Sequence, residues 1–198
     1  MTSSARPGGR TAAVRDAVLS ATADLLVEAG LGGIELTAVA DRAGVGKSTV
    51  YRRWRTVPAL VADLLVDMAE TSLPRANTGT LRGDLLANAV LVRRTLSDRR
   101  QGRLFKAIIA AAACDPQTAQ ALAGFYTARL AEFAPIVTEG IARGEAPRGT
   151  DAAEVIRYIS APLYYQFLTT TRSLTVSDAE RAVDAAMAAV TAGVFVRS

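Results

Sequence analysis

Between Thr37 and Trp54 the chain reads Thr-Ala-Val-Ala-Asp-Arg-Ala-Gly-Val-Gly-Lys-Ser-Thr-Val-Tyr-Arg-Arg-Trp, and no other stretch restricts the fold as tightly. Thr37 has the side chain of a helix cap, and Val39, Ala40 and Ala43 recur on one helical face, so a helix is expected to begin near Thr37. Gly44 follows the last apolar residue and can take the left-handed conformation that ends a helix, and Val45 can plug the gap behind the turn. From Gly46 onward donors dominate, while Val50 and Trp54, four apart, form the apolar strip that would hold a second short helix against its neighbours. Two short helices around a glycine turn make a helix-turn-helix.

The outward face of that second helix carries hydroxyls, a phenol and cations, which suits a nucleic acid. Lys and Arg neutralise phosphates, and Ser, Thr and Arg reach base edges in the major groove. The DNA-contacting set read from the sequence is Thr37, Gly46, Lys47, Ser48, Thr49, Tyr51, Arg52, Arg53 and Arg55. Lys47, Tyr51 and Arg55 are assigned to phosphate, Ser48, Thr49 and Arg52 to base edges, and Thr37 to a helix N-terminus that can face a phosphate. A nucleotide-binding loop is the competing reading of Gly44-Val45-Gly46-Lys47-Ser48-Thr49. It requires a glycine five residues before Gly46, where this chain has Asp41, and a preceding buried strand where the periodicity is helical.

These residues resemble the TetR family of transcriptional regulators. The shared pattern is the turn Ala43-Gly44-Val45, the small pair Ser48-Thr49, then Val50, Tyr51 and Trp54. Ala161-Pro162-Leu163-Tyr164-Tyr165 is similar to a carboxy-terminal domain of one branch. Gly46 stands where the family often has a serine cap, and Val57 where it often has a lysine. The resemblance implies an all-α fold of about nine helices: a flexible basic tail over 1–10, a DNA-binding domain over 11–57, and a ligand-binding and dimerisation domain over 58–198. A helix from about 58 to 72 would connect the two. It also implies a homodimeric repressor on a near-palindromic double-stranded operator, released by a small-molecule effector. An effector-independent regulator or activator of the same fold is the first alternative, and a helical enzyme or nucleotide-binding protein the remote one.

Composition narrows the classes further. Half of the 198 residues are apolar, enough for a sizeable core. Residues 1–55 hold eight Arg or Lys against five Asp or Glu, a local cationic excess in the part expected to meet DNA. Histidine is absent, which removes the commonest general base and metal ligand, so no catalytic residue, metal or cofactor is expected. Cys114, the one cysteine, is expected to be a buried small hydrophobe. The first ten residues lack a signal-peptide hydrophobic stretch and no apolar run reaches the roughly 20 residues a membrane span needs, so a cytoplasmic protein without membrane contact is expected. Arg6 and Arg10 are placed to act as a minor-groove arm.

Downstream, Leu81–Leu96 reads as an amphipathic helix, Leu104–Cys114 as an internal one, and Asp115-Pro116 as a strong helix start; Pro135 should bend the helix that follows. Near the end Ala182, Ala186 and Gly193 form a row of small residues beside Val183 and Val190, and Val155, Ile159, Leu163 and Phe167 stripe the preceding helix. The pattern fits burial within one chain or a four-helix interface between two copies equally well, and the resemblance implies the second. For a ligand, aromatic walls and polar handles point to Met68, Phe105, Phe125, Tyr126, Arg129, Tyr158 and Tyr164.

Overall fold

The computed structural model describes residues 7–197, with side chains from Thr11 onward. Among these residues the chain forms α1 (Pro7–Ala29), α2 (Leu36–Ala43), α3 (Lys47–Arg53), α4 (Val57–Glu70), α5 (Leu81–Ser97), α6 (Arg99–Ala112), α7 (Pro116–Ala142), α8 (Ala152–Thr169) and α9 (Val176–Thr191). A single 3-10 turn follows α1, and the one β contact is an isolated antiparallel bridge between Thr150 and Val196. The fold is all-α. None of the described helices is long and apolar enough to cross a membrane.

The helix starts are chemically marked. Thr56 accepts from the Ala59 N–H, Thr80 from Gly83, Asp151 from Ala153 and Glu154, and Asp115 from Thr118, each filling an amide that has no partner in the first turn. Asp98 does the same for Arg100 and Gln101, which is why α6 begins at Arg99 rather than at Leu104. The helix ends at Ala112, so Cys114 falls in the exposed turn before α7; the expected burial of this thiol is not observed. At the other end of the chain, α1 already includes Pro7–Arg10, four residues assigned to the tail, whereas Arg6 lies outside the described residues and so does the Arg10 side chain.

The described chain divides into two compact units. The first takes in the chain up to Thr71 together with Arg103–Phe125, so α4 and parts of α6 and α7 share the core of the head. Val18, Leu26, Val39, Val50, Trp54, Leu60, Leu65, Leu104 and Ile108 are buried in that core, with Met68 and Phe125 packed against it. The second unit is Ser72–Gly102 with the chain from Tyr126 onward, in which α5, α8 and α9 pack on one another. Gly102 is tightly placed there. A Cβ at this position would lie 2.4 Å from the Leu96 carbonyl oxygen and 3.3 Å from the Phe167 ring.

This packing reassigns the stripe read as a dimer face. Val155, Ile159, Leu163, Val183, Ala186 and Val190 are completely buried within one chain, and Ala182 is 5% exposed. Phe167 is half-buried beside Gly102, and Gly193 lies beyond α9 in a left-handed turn (φ 75°). Hydrophobic residues at helical spacing serve the nearest core first, and here α8, α9 and α5 supply it.

Asp178 anchors the start of α9. Its carboxylate accepts from the Thr175 backbone and hydroxyl (both 2.8 Å) and from Arg172 (2.8 and 2.9 Å), and pairs with Arg181, while Thr175 caps the Asp178 N–H in return. Arg172 first, opposed by burial and aided by Thr175, holds this carboxyl well below the ordinary carboxylate value. Asp178→Ala is expected to lower unfolding stability at pH 7 by about 2 kcal/mol, read by urea denaturation. Because the folded value is depressed, the deficit should be full above the ordinary pKa of 3.8 and shrink as the pH falls below it.

Candidate nucleic-acid interface

The turn between α2 and α3 is built as the local sequence dictates. Gly44 adopts φ 65°, ψ 31°, its N–H returning to Ala40 and Asp41, and the Val45 N–H bonds the Ala40 carbonyl at 3.0 Å. Helix α3 starts on Gly46, which supplies no side-chain cap, so its amides are held through the backbone carbonyl alone. Val50 is fully buried and Trp54 is 5% exposed, which fixes the inward face. A helix precedes the Gly44–Thr49 loop, not the strand that a phosphate-binding loop requires.

The opposite face is open. Gly46, Lys47, Ser48, Tyr51, Arg52, Arg53 and Arg55 are exposed, and Thr49 and Thr37 are half-buried. Arg53 stacks its guanidinium 4.9 Å over the Trp54 ring, and Lys47 lies 3.7 Å from Asp41 in an exposed pair that salt screens readily. Among the described residues the Arg52 and Arg55 side chains carry no hydrogen bond or ion pair, so their donors remain available. One expectation is corrected: α2 begins at Leu36 with Glu35 in the cap position, and Thr37, one turn position inside, donates its hydroxyl to Glu35 Oε2 at 3.2 Å. A buried Leu36 pulls the helix start one residue ahead of the threonine.

What aims this face is a polar knot that the sequence reading missed. Asp63 on α4 accepts from the Trp54 indole N–H at 2.9 Å and from Arg15 of α1 at 2.8 Å, and Arg15 also reaches Asp67 at 2.6 Å. Three helix segments therefore meet at one carboxylate. Burial opposes the charge on Asp63, but Arg15 and Trp54 outweigh it and hold the carboxyl below its ordinary value. Beside the knot Arg55 is the one non-glycine residue with positive φ (60°) among the described residues. It makes the bend that takes the chain from α3 into α4.

The residues selected for ligand contact fall into three groups. Met68, Phe105 and Phe125 belong to the first unit's core, with the two phenylalanine rings 5.8 Å apart. Tyr126, Arg129 and Tyr164 meet in the second unit. There the tyrosine rings sit edge to face at 5.7 Å, and burial pushes both phenols up. Arg129 pairs with Glu132 at 2.5 Å and stacks 4.7 Å over Phe133. Tyr158 stands apart, 45% exposed and against Phe195. Among the described residues no group of three or more metal-ligating side chains comes together.

Residues 18–64 match the family model described as bacterial regulatory proteins of the tetR family, and residues 75–186 match that of the tetracyclin repressor-like C-terminal domain. The chain is 31% identical over 155 residues to the HTH-type transcriptional regulator YdeS of Bacillus subtilis, covering 78% of each chain. It is 32% identical over 150 residues to the HTH-type transcriptional regulator AqdR of Rhodococcus erythropolis, covering 74% of this chain and 70% of the relative. Among solved structures, Salmonella enterica GusR superposes with a TM-score of 0.72 at 19% identity, over 96% of this chain and 98% of the other.

Replacing Asp63 by asparagine keeps its shape and removes its charge. The variant is expected to lose about 1–3 kcal/mol of stability at neutral pH, measured by urea unfolding. Since the folded carboxyl titrates below 3.8, the wild-type advantage is complete above that pH and disappears as acid protonates the folded state. An identical loss at pH 7 and at pH 3 would show that the charge is not the source.

Proposed function

The chain belongs to the TetR family of helix-turn-helix transcriptional regulators, and from that premise we propose that it is a homodimeric repressor that acts in the cytoplasm and leaves its operator when a small molecule binds the second unit. The observation that carries the DNA-reading part is the exposed donor face of α3 set on a fully buried Val50 and a tethered Trp54. Arg52, Ser48 and Thr49 are assigned to base edges, and Lys47, Tyr51, Arg53 and Arg55 to phosphates, with Gly46 allowing close backbone approach and Thr37 flanking the turn.

A second copy is proposed to pack on the outward faces of α8 and α9. On α8 the exposed residues Tyr158, Ala161, Pro162, Tyr165 and Leu168 share one helical stripe, Tyr165 being 70% and Leu168 45% exposed. Exposed Ala185, Ala188 and Ala192 at the outer side of α9 would let a partner helix come close. Pairing two α3 helices about 34–36 Å apart would select a near-palindromic site. The effector is assigned to the second unit, where Tyr126, Arg129 and Tyr164 converge, and α4 is the proposed lever, since it holds Asp63 and the chain passes from its end into that unit at Ser72. Such a ligand acts only through its differential affinity for the operator-competent and incompetent states.

Titration of the purified protein on DNA upstream of its own gene, across salt, tests the reading. Selective binding is expected to weaken with rising salt, with log–log slope near −0.9 per phosphate contact. Arg52→Ala should cost about 1–3 kcal/mol and relax sequence preference, whereas Lys47→Ala should weaken all sites alike. Failure to select any site from a random pool would overturn it.

In sedimentation experiments Tyr165→Glu combined with Leu168→Glu should produce a folded monomer. Val155→Ala should lower stability and leave the oligomeric state unchanged. The reverse pattern would return the interface to the interior stripe.

A further inference from the structure

Within the second unit the segment after α4, one face of α5 and Phe133 of α7 line a cavity of about 180 Å³ that opens to solvent. Its walls are mainly apolar, Leu73, Pro74, Leu91 and Phe133 among them, and two polar residues line it, Asn88 and Arg94. Asn88 is only 4% exposed, yet its carboxamide makes no hydrogen bond to the protein among the described residues, and its buried Oδ1 has no partner. A buried amide without partners weakens the fold relative to leucine, so its presence in this wall calls for something that fills the space. Arg94, exposed at the rim, likewise has no side-chain hydrogen bond or ion pair, although Arg75, Arg82 and Arg143 of the same unit are each paired with a carboxylate. The nearby sequence adds Arg93, Arg99 and Arg100 with Asp98 as the only acid, and Asp98 is occupied in capping α6.

We propose that this cavity binds a small aromatic carboxylate, its ring against Phe133 and Leu91, its carboxylate on the Arg94 guanidinium and a polar substituent or carboxylate oxygen on Asn88. The volume fits one ring, since a dry cavity on the order of 150 Å³ accommodates benzene. A planar carboxylate matches the fork of arginine donors, and an arene edge or face completes the contact with Phe133. A polyphosphate or nucleotide is excluded by size and by the apolar walls. The assignment rests on the reading that the second unit receives the effector, moves the contact within that unit from Tyr126, Arg129 and Tyr164 to this cavity, and gives the effector a chemical class.

Calorimetric titration of the intact protein with benzoate, beside its neutral isostere benzamide, tests the site. Benzoate is expected to bind one per chain, with benzamide and the Arg94→Ala variant each weaker by about tenfold or more, as loss of a charge-assisted pair implies. Asn88→Leu should weaken benzoate and raise the melting temperature, a combination that a merely structural asparagine would not give. Benzoate binding that is unchanged in Arg94→Ala, or no saturable binding up to about 10 mM, overturns the assignment. Operator affinity is measured in the same samples. Arg94-dependent binding that leaves operator affinity unchanged keeps the site and removes the effector role. DNA release by a different compound, found by thermal shift, with no benzoate binding, keeps the effector role and removes this site.

Discussion

A single carboxylate decides how α3, the helix proposed to read DNA, is presented. Asp63 takes the Trp54 indole from the end of α3 and the Arg15 guanidinium from α1, and itself belongs to α4. Short helices such as α2 and α3, eight and seven residues long, have little stability of their own. Their geometry comes from what they pack against, and Val50 and Trp54 supply the apolar part of that contact without setting rotation or tilt closely. Directional hydrogen bonds to one oxygen pair do set it. The arrangement also makes the orientation of α3 answer to the position of α4, which is what the proposed control by a ligand would use.

The sequence made the helix-turn-helix legible because its signals are local: a glycine that can adopt positive φ, an apolar pair four residues apart, and a donor-rich remainder. The knot at Asp63 was not legible, since Arg15 and Asp63 are 48 residues apart and nothing in either neighbourhood announces the other. The start of α6 was legible in principle. Ser97-Asp98 before two arginines is a cap followed by a charged first turn, but the arginines mask a helix whose apolar residues begin only at Leu104.

The carboxy-terminal helices show a different limit. Helix α8 carries two apolar stripes, the aliphatic one through Val155, Ile159 and Leu163 and the aromatic one through Tyr158, Tyr165 and Leu168. Periodicity identifies both and ranks neither. Burial within the chain takes the aliphatic stripe, whose branched side chains fill a core without hydroxyls to satisfy, and leaves the tyrosines outside, where their phenols stay wet. Likewise, no pattern marks Asn88 as unpartnered, because the fault in its surroundings appears only when α5, the preceding segment and Phe133 are brought together.

The left-handed backbone at Arg55 places two requirements on one residue. The bend from α3 into α4 favours glycine, and an L side chain there is strained by roughly 1–2 kcal/mol. A cation at the edge of the donor face favours arginine. A chain selected for thermal endurance alone would resolve this conflict by discarding the side chain, so the bend marks a point where durability and the proposed grip on nucleic acid are set against each other, and where the two would drift in opposite directions under artificial selection.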